Sequence, residues 1–256
     1  MSEESNLHET QTPEELQDNE QLSTPEAMSG VITAPAETFE TIANTPRKNY
    51  WLIPMLIAVA IGLVTTFLFM QDTELTAVTM EKQKAKMREK FSESVKEGKM
   101  TQEQADKALE GMNPKGTMFK VFGFGGAVLG PFIILLLLSV IYLIALKILK
   151  AQFEFTNVLN VVGMAFLIVA IGNLISMAIS ILKGNITTLG PAFFMNPETS
   201  GEKMYTLFSK TDLFSVWFYI VIAIGLSKIG RISIAKTAPV VFIVWIAYVI
   251  ASSLAF

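Results

Sequence analysis

Three carboxylates stand beside apolar stretches of this chain: Asp72, Glu154 and Asp212. None has a second carboxylate at the spacing that a tuned acid–base pair or a metal site would need for hydrolysis or group transfer. The one histidine is His8, far from any apolar stretch, and there is no cysteine. Thiol nucleophiles, disulfides and Cys-ligated metals are therefore excluded, as is a His-based site in an apolar run. No cofactor is expected, and the chain reads as a non-enzyme. Uncharged polar groups remain: Asn157, Asn160, Asn173, Ser176 and Ser180 in one long apolar segment. Asn173, Ser176 and Ser180 recur at i, i+3 and i+7, which gives a helix one mildly polar face. That face either bonds neighbouring helices or lines a narrow polar path. Asp212 directly precedes Leu213 and Phe214, where its carboxylate can cap a helix. Trp217, one turn further on, sits at the depth of an interfacial anchor.

The elements that carry these residues are apolar runs at 50–71, 121–146, 155–182, 213–227 and 237–256, each free of Asp, Glu, Lys, Arg and His. A helix needs about 20 residues at ~1.5 Å each to cross a hydrocarbon core. The fourth run is short and can extend through Ile229 and Gly230. Apolar residues make up 51% of the chain and come in blocks rather than at amphipathic spacing. An all-α polytopic membrane protein follows, with spans expected at 50–71, 118–147, 155–183, 212–230 and 237–256. The N-terminus lacks a basic region followed by an apolar stretch, so no cleavable signal is expected and the first span acts as the insertion signal.

Outside the spans the segments differ in character. Residues 1–28 are acidic and rich in Gln, Ser, Thr and Pro, which suggests a disordered tail. Residues 30–45 suggest a short amphipathic helix in the membrane interface, with Thr33 as its cap, Pro35 in its first turn, and Phe39 and Ile42 on one face. Tyr50 and Trp51 open the first span at belt depth. Residues 72–117 suggest a charged helical hairpin: Met80, Met87, Phe91 and Val95 recur at helical spacing, a turn follows at Glu97-Gly98-Lys99, and Thr101 with Gln104 forms a capping box. It is either a partner-binding or gating element or a solvated hairpin whose apolar stripe rests on headgroups. In the second span Gly126 and Gly130 form a GxxxG that predicts close helix approach, and Pro131 predicts a kink. The loop 184–211 carries turn signals, an apolar patch from Leu189 to Met195 and the sequon Asn185-Ile186-Thr187.

The first 45 residues contain acids and no Lys or Arg, so a nucleic-acid partner is not expected. With a cytoplasmic N-terminus, the inside segments hold Arg47, Lys48, Lys147, Lys150, Lys228, Arg231 and Lys236, while the outside loop after the third span holds Lys183, Lys203 and Lys210. The hairpin then lies outside, its many lysines nearly balanced by acids.

Two stretches carry a family resemblance. The first is residues 30–57, GVITAPAETFETIANTPRKNYWLIPMLI, with a Pro-x-x-Thr-Phe helix, Pro46, then an aromatic pair and Pro54 opening a span. The second is residues 211–245, TDLFSVWFYIVIAIGLSKIGRISIAKTAPVVFIVW, with Asp212 and Trp217, an Ala-Ile-Gly-Leu stretch and a short basic loop. Together with FEFTNVLNVVGM at 153–164, they resemble the Yip-domain family of five-span membrane proteins in its prokaryotic branch. Eukaryotic members bind small Rab-type GTPases in vesicle traffic. For this chain the resemblance implies architecture more than biochemistry: a membrane adaptor or scaffold, with a transporter or channel for an uncharged or lipid-like substrate as the alternative. Membrane lipids, a protein partner and self-association are the expected interactions, in a bacterial cytoplasmic membrane.

Overall fold

The computed structural model describes residues 21–196 and 199–254. The expected tail lies mostly outside them. Its last residues, however, belong to a helix, α1 (Thr24–Thr33). Ser23 caps it, in a reciprocal box with Glu26, and Pro25 sits in its first turn. The helix expected over 30–45 is thus two helices. Thr33 does not cap the second one; its hydroxyl donates back to the Ser29 carbonyl at 3.0 Å. α2 (Pro35–Asn44) starts after Ala34, with no side-chain cap. Pro35 lacks the N–H that would continue α1, and its fixed φ suits a helix start, so the chain turns there.

The apolar helices are α3 (Leu52–Gln71), α6 (Thr117–Ile148), α7 (Phe155–Lys183), α9 (Leu213–Ile229) and α10 (Ile234–Leu254). Four are long and apolar enough to cross a membrane. The 17-residue α9 qualifies with α8 (Glu202–Ser209), which meets it at a 53° bend. Between α3 and α6 lies the hairpin of α4 (Thr73–Lys96) and α5 (Gln102–Gly111). Asp72 caps α4, and Thr101 and Gln104 close the capping box of α5. α6 runs unbroken through Pro131.

α7 is the central helix. Its residues Val158 to Ala170 are almost all buried, and it packs against α3, α6 and α9. α10 packs on α9 through the stacked rings of Tyr219 and Trp245, 5.2 Å apart, and through the Thr237 hydroxyl, which donates to the Ala223 carbonyl at 2.8 Å.

The GxxxG does not bring helices together. A Cβ at Gly126 or Gly130 would meet nothing within 4 Å. Close approach is made instead at Gly163, where a Cβ would lie 2.5 Å from the Trp51 Cβ, and at Gly225, where it would lie 2.6 Å from Val161 and 3.0 Å from the Phe39 ring. The motif says that two helices could approach closely; the direction each face points decides whether they do.

Candidate functional site

One end of the bundle collects the start of α3, the α6–α7 turn, the α9–α10 turn and both N-terminal helices. Its organising residue is Asn160, fully buried one turn and a half into α7. Its amide oxygen accepts from the Trp51 N–H at 3.2 Å, and its amide nitrogen donates to the Lys48 carbonyl at 2.9 Å. The segment leading into the first span is thereby fastened to the third. Tyr50 faces the inside of the bundle. It is buried, and its hydroxyl donates to the Leu22 carbonyl at 2.8 Å, where Lys48 also donates at 2.7 Å. Pro46 is exposed, and its carbonyl accepts from Gln21 at 3.0 Å.

α2 lies across α9 with its apolar face turned inward. Phe39 is fully buried and Ile42 nearly so, both in the core with Val31 of α1. Phe39 is therefore a packing residue, and no partner can reach it. The polar side of α2 is tied down as well: Lys228 donates to Glu40 at 2.5 Å, and Arg231 to Asn44 at 3.2 Å. Arg47 pairs with Glu154, and that hydrogen bond holds the Glu154 carboxyl below its usual range.

At the opposite end Asp212 is buried and caps α9. One carboxylate oxygen accepts from the N–H groups of Phe214 at 2.9 Å and Ser215 at 3.1 Å, and the other from the Ser215 hydroxyl at 2.5 Å. Gly190 is required beside it, since a Cβ there would lie 2.7 Å from the Asp212 Cα. Trp217 is half-buried and packs against the core. The polar face expected on α7 divides. Ser180 is buried and bonds the Thr187 N–H at 3.0 Å and the Ser176 carbonyl at 2.7 Å, whereas Asn173 is exposed on the bundle surface. The patch from Leu189 to Met195 contains a short 3₁₀ turn, Pro191–Phe194. There Phe193 lies under the Lys183 ammonium at 3.7 Å and Phe194 is 88% exposed.

The hairpin lies at this second end, where α4 and the loop residues Asn185, Ile186, Tyr205 and Thr206 line a shared cavity. Leu75, Thr76 and Met80 are buried, and beyond Met80 no further residue of α4 is. Met87, Phe91 and Val95 are half-buried, and Ala105 alone is buried on α5. A cavity of about 670 Å³ between the two helices is lined by Lys84, Arg88, Asp106, Leu109, Glu110 and Asn113. Among the described residues, no three His, Asp or Glu side chains gather where a metal could be held.

The profile of the Yip1 domain matches residues 29–256. The chain belongs to the Yip1 family. It is also similar to the membrane protein YknW of Bacillus subtilis, 25% identical over 207 residues, covering 81% of this chain and 80% of the relative. No solved structure matches it. The matched region of the Yip1 domain begins inside α1, so α2, its docking on α9 and every span fall within it. Asn160, which the sequence shows as one Asn among several, is the residue whose role reasoning from spacing missed. A signal was present: it lies in the stretch at 153–164 that carries the family likeness.

Proposed function

We propose that this Yip1-domain protein is a non-enzymatic adaptor of a bacterial cytoplasmic membrane, and that the α4–α5 hairpin is the element that engages its protein partner. The carrying observation is the hairpin's exposure beyond Met80. The helix around Phe39 is occupied internally, with Phe39 in the core and the polar edge of α2 bonded to the α9–α10 turn. The hairpin is also electrically uneven. On α4 Lys82, Lys84, Lys86, Arg88, Lys90 and Lys96 outnumber Glu74, Glu81, Glu89 and Glu93, and on α5 Glu103, Asp106 and Glu110 outnumber Lys107. Separated charge of this kind fixes the orientation of a docking partner and speeds its capture. With the N-terminus cytoplasmic, the partner meets the hairpin on the outer face.

The transporter reading loses its main support. Ser180 is bonded to its own loop, and Asn173 faces away from the bundle interior.

The test is capture from native membranes in mild detergent. The full chain is compared with a variant whose residues 81–112 are replaced by a short Gly/Ser linker, and with one lacking residues 1–20. Loss of a stoichiometric partner only with the linker variant is the expected result. A partner retained by the linker variant would remove the hairpin from this role.

A further inference from the structure

Helix C-termini commonly close with a left-handed residue, and glycine takes that position because a Cβ is strained there. Two turns at the N-terminal end of this bundle close in that way without glycine. After α9, the Arg231 N–H donates to the Lys228 carbonyl at 3.2 Å and the Ile232 N–H to the Ser227 carbonyl at 3.1 Å, with Arg231 at φ +50°. After α6, Lys150 holds the same place at φ +54°, and the Ala151 N–H donates to the Leu146 carbonyl at 3.0 Å. Among the described residues these are the two non-glycine residues with positive φ. The turns touch, since a Cβ on Gly230 would lie 3.3 Å from the Ala151 Cβ and 3.2 Å from Leu146. Both strained positions thus carry a cation, side by side. The helix dipole does not explain this, because Lys147 and Lys228 already serve the last turns of α6 and α9 from ordinary helical backbone.

Arg231 also separates two adjoining cavities of about 450 and 400 Å³, and lines both. Arg47 and Lys228 line them too, but each is matched by a carboxylate, Glu154 and Glu40. Among the described residues, Arg231 bonds only the neutral Asn44 amide. The larger cavity adds Gln152 and Asn157 as amide donors, and the carboxylate on its wall, Glu154, is the one already paired with Arg47. A guanidinium with flanking amide donors suits a phosphate, which accepts hydrogen bonds from several directions at once.

We propose that the groove around Arg231 binds a phosphate-bearing anion, supplied either by the headgroup of an anionic phospholipid or by a soluble phosphate ester. Backbone strain at Arg231 is retained to hold the guanidinium over the groove.

Arg231→Gly makes the test clean, because it relaxes the backbone and is expected to melt no lower than the wild-type protein. The full chain in neutral detergent is titrated separately with phosphatidylglycerol, with phosphatidylcholine and with inorganic phosphate, reading affinity and thermal shift. Lys236→Ala, exposed at the same end but outside the groove, is the control for diffuse attraction. The expected result is binding of phosphatidylglycerol or phosphate that weakens about tenfold or more in Arg231→Gly and is unchanged in Lys236→Ala. A response to phosphatidylglycerol alone identifies the lipid as the source, and a response to phosphate alone identifies a soluble ester. Equal affinity in wild type and Arg231→Gly, equal losses in both variants, or no response to either anionic probe would each overturn the proposal.

Discussion

A single amide, that of Asn160, gives the part-buried Trp51 N–H its acceptor and adds a second donor to the Lys48 carbonyl. Replacing it by leucine keeps the branched shape and strands the Trp51 N–H, while the Lys48 carbonyl keeps its bond from the Tyr50 N–H at 3.2 Å. Asn160→Leu is expected to lower unfolding stability in detergent by about 2 kcal/mol; a melting curve that overlays the wild type would refute the role given to this amide. Asp212→Ala removes a cap with two N–H partners, for an expected loss of about 1 kcal/mol, read in the same melts. Glu154 offers a pH-dependent test. Its carboxyl lies below the usual 4.5 because the Arg47 hydrogen bond favours the charged form. A lowered folded-state value stabilises the fold above the unfolded value, and that contribution is lost as pH falls through the folded value. The difference in melting temperature between wild type and Glu154→Gln should therefore be present at neutral pH and close in scans taken below 4.5. The pair is exposed, so the difference is small, but a gap unchanged by acid would contradict its origin in this charge. The cap at Asp212 was legible from sequence because its signal is local. Asn160 was not, because its partners lie 109 and 112 residues away.

At the scale of helices, contact direction separates glycines that look alike in the sequence. Gly163→Ala drives a Cβ into Trp51 and is expected to destabilise by about 2 kcal/mol. Gly126→Ala meets open space and should be neutral or slightly stabilising, since alanine is the better helix former. Equal effects of the two substitutions in a thermal-stability series would overturn this contrast. The spans themselves were legible because uninterrupted apolar length is a direct physical requirement of the bilayer. The capping box at Thr101 and Gln104 was legible for the same local reason as Asp212. α1 escaped notice although Ser23, Pro25 and Glu26 spell a helix start, because the surrounding polar composition resembles a tail. The inward face of α2 was ambiguous in principle: an amphipathic stripe suits lipid and protein equally, and only the presence of Gly225 opposite Phe39 decides between them.

For the whole molecule, the element order fixes which segments share a side. The start of α3, the α6–α7 turn and the α9–α10 turn lie at one end; the hairpin, the loop at 184–211 and the end of α10 lie at the other. The chain has no native cysteine, so single-cysteine variants report sidedness without background. In intact cells an impermeant maleimide is expected to label a cysteine at Ser94 of α4 and to leave one at Ser233 untouched until the membrane is opened. The reverse pattern would invert the orientation.

The contact between α2 and α9 joins residues 188 positions apart, Glu40 with Lys228. The ribosome therefore releases the N-terminal helices long before their docking site exists. While the first three spans insert, the stripe of Val31, Phe39 and Ile42 has only lipid or a chaperone to cover it. Seating it on α9 is then among the last steps of biogenesis, and it draws the earliest and latest segments of the nascent chain together. A chain terminated before α9 would keep that stripe uncovered, which is a feature by which quality-control proteases can distinguish an unfinished copy from a finished one.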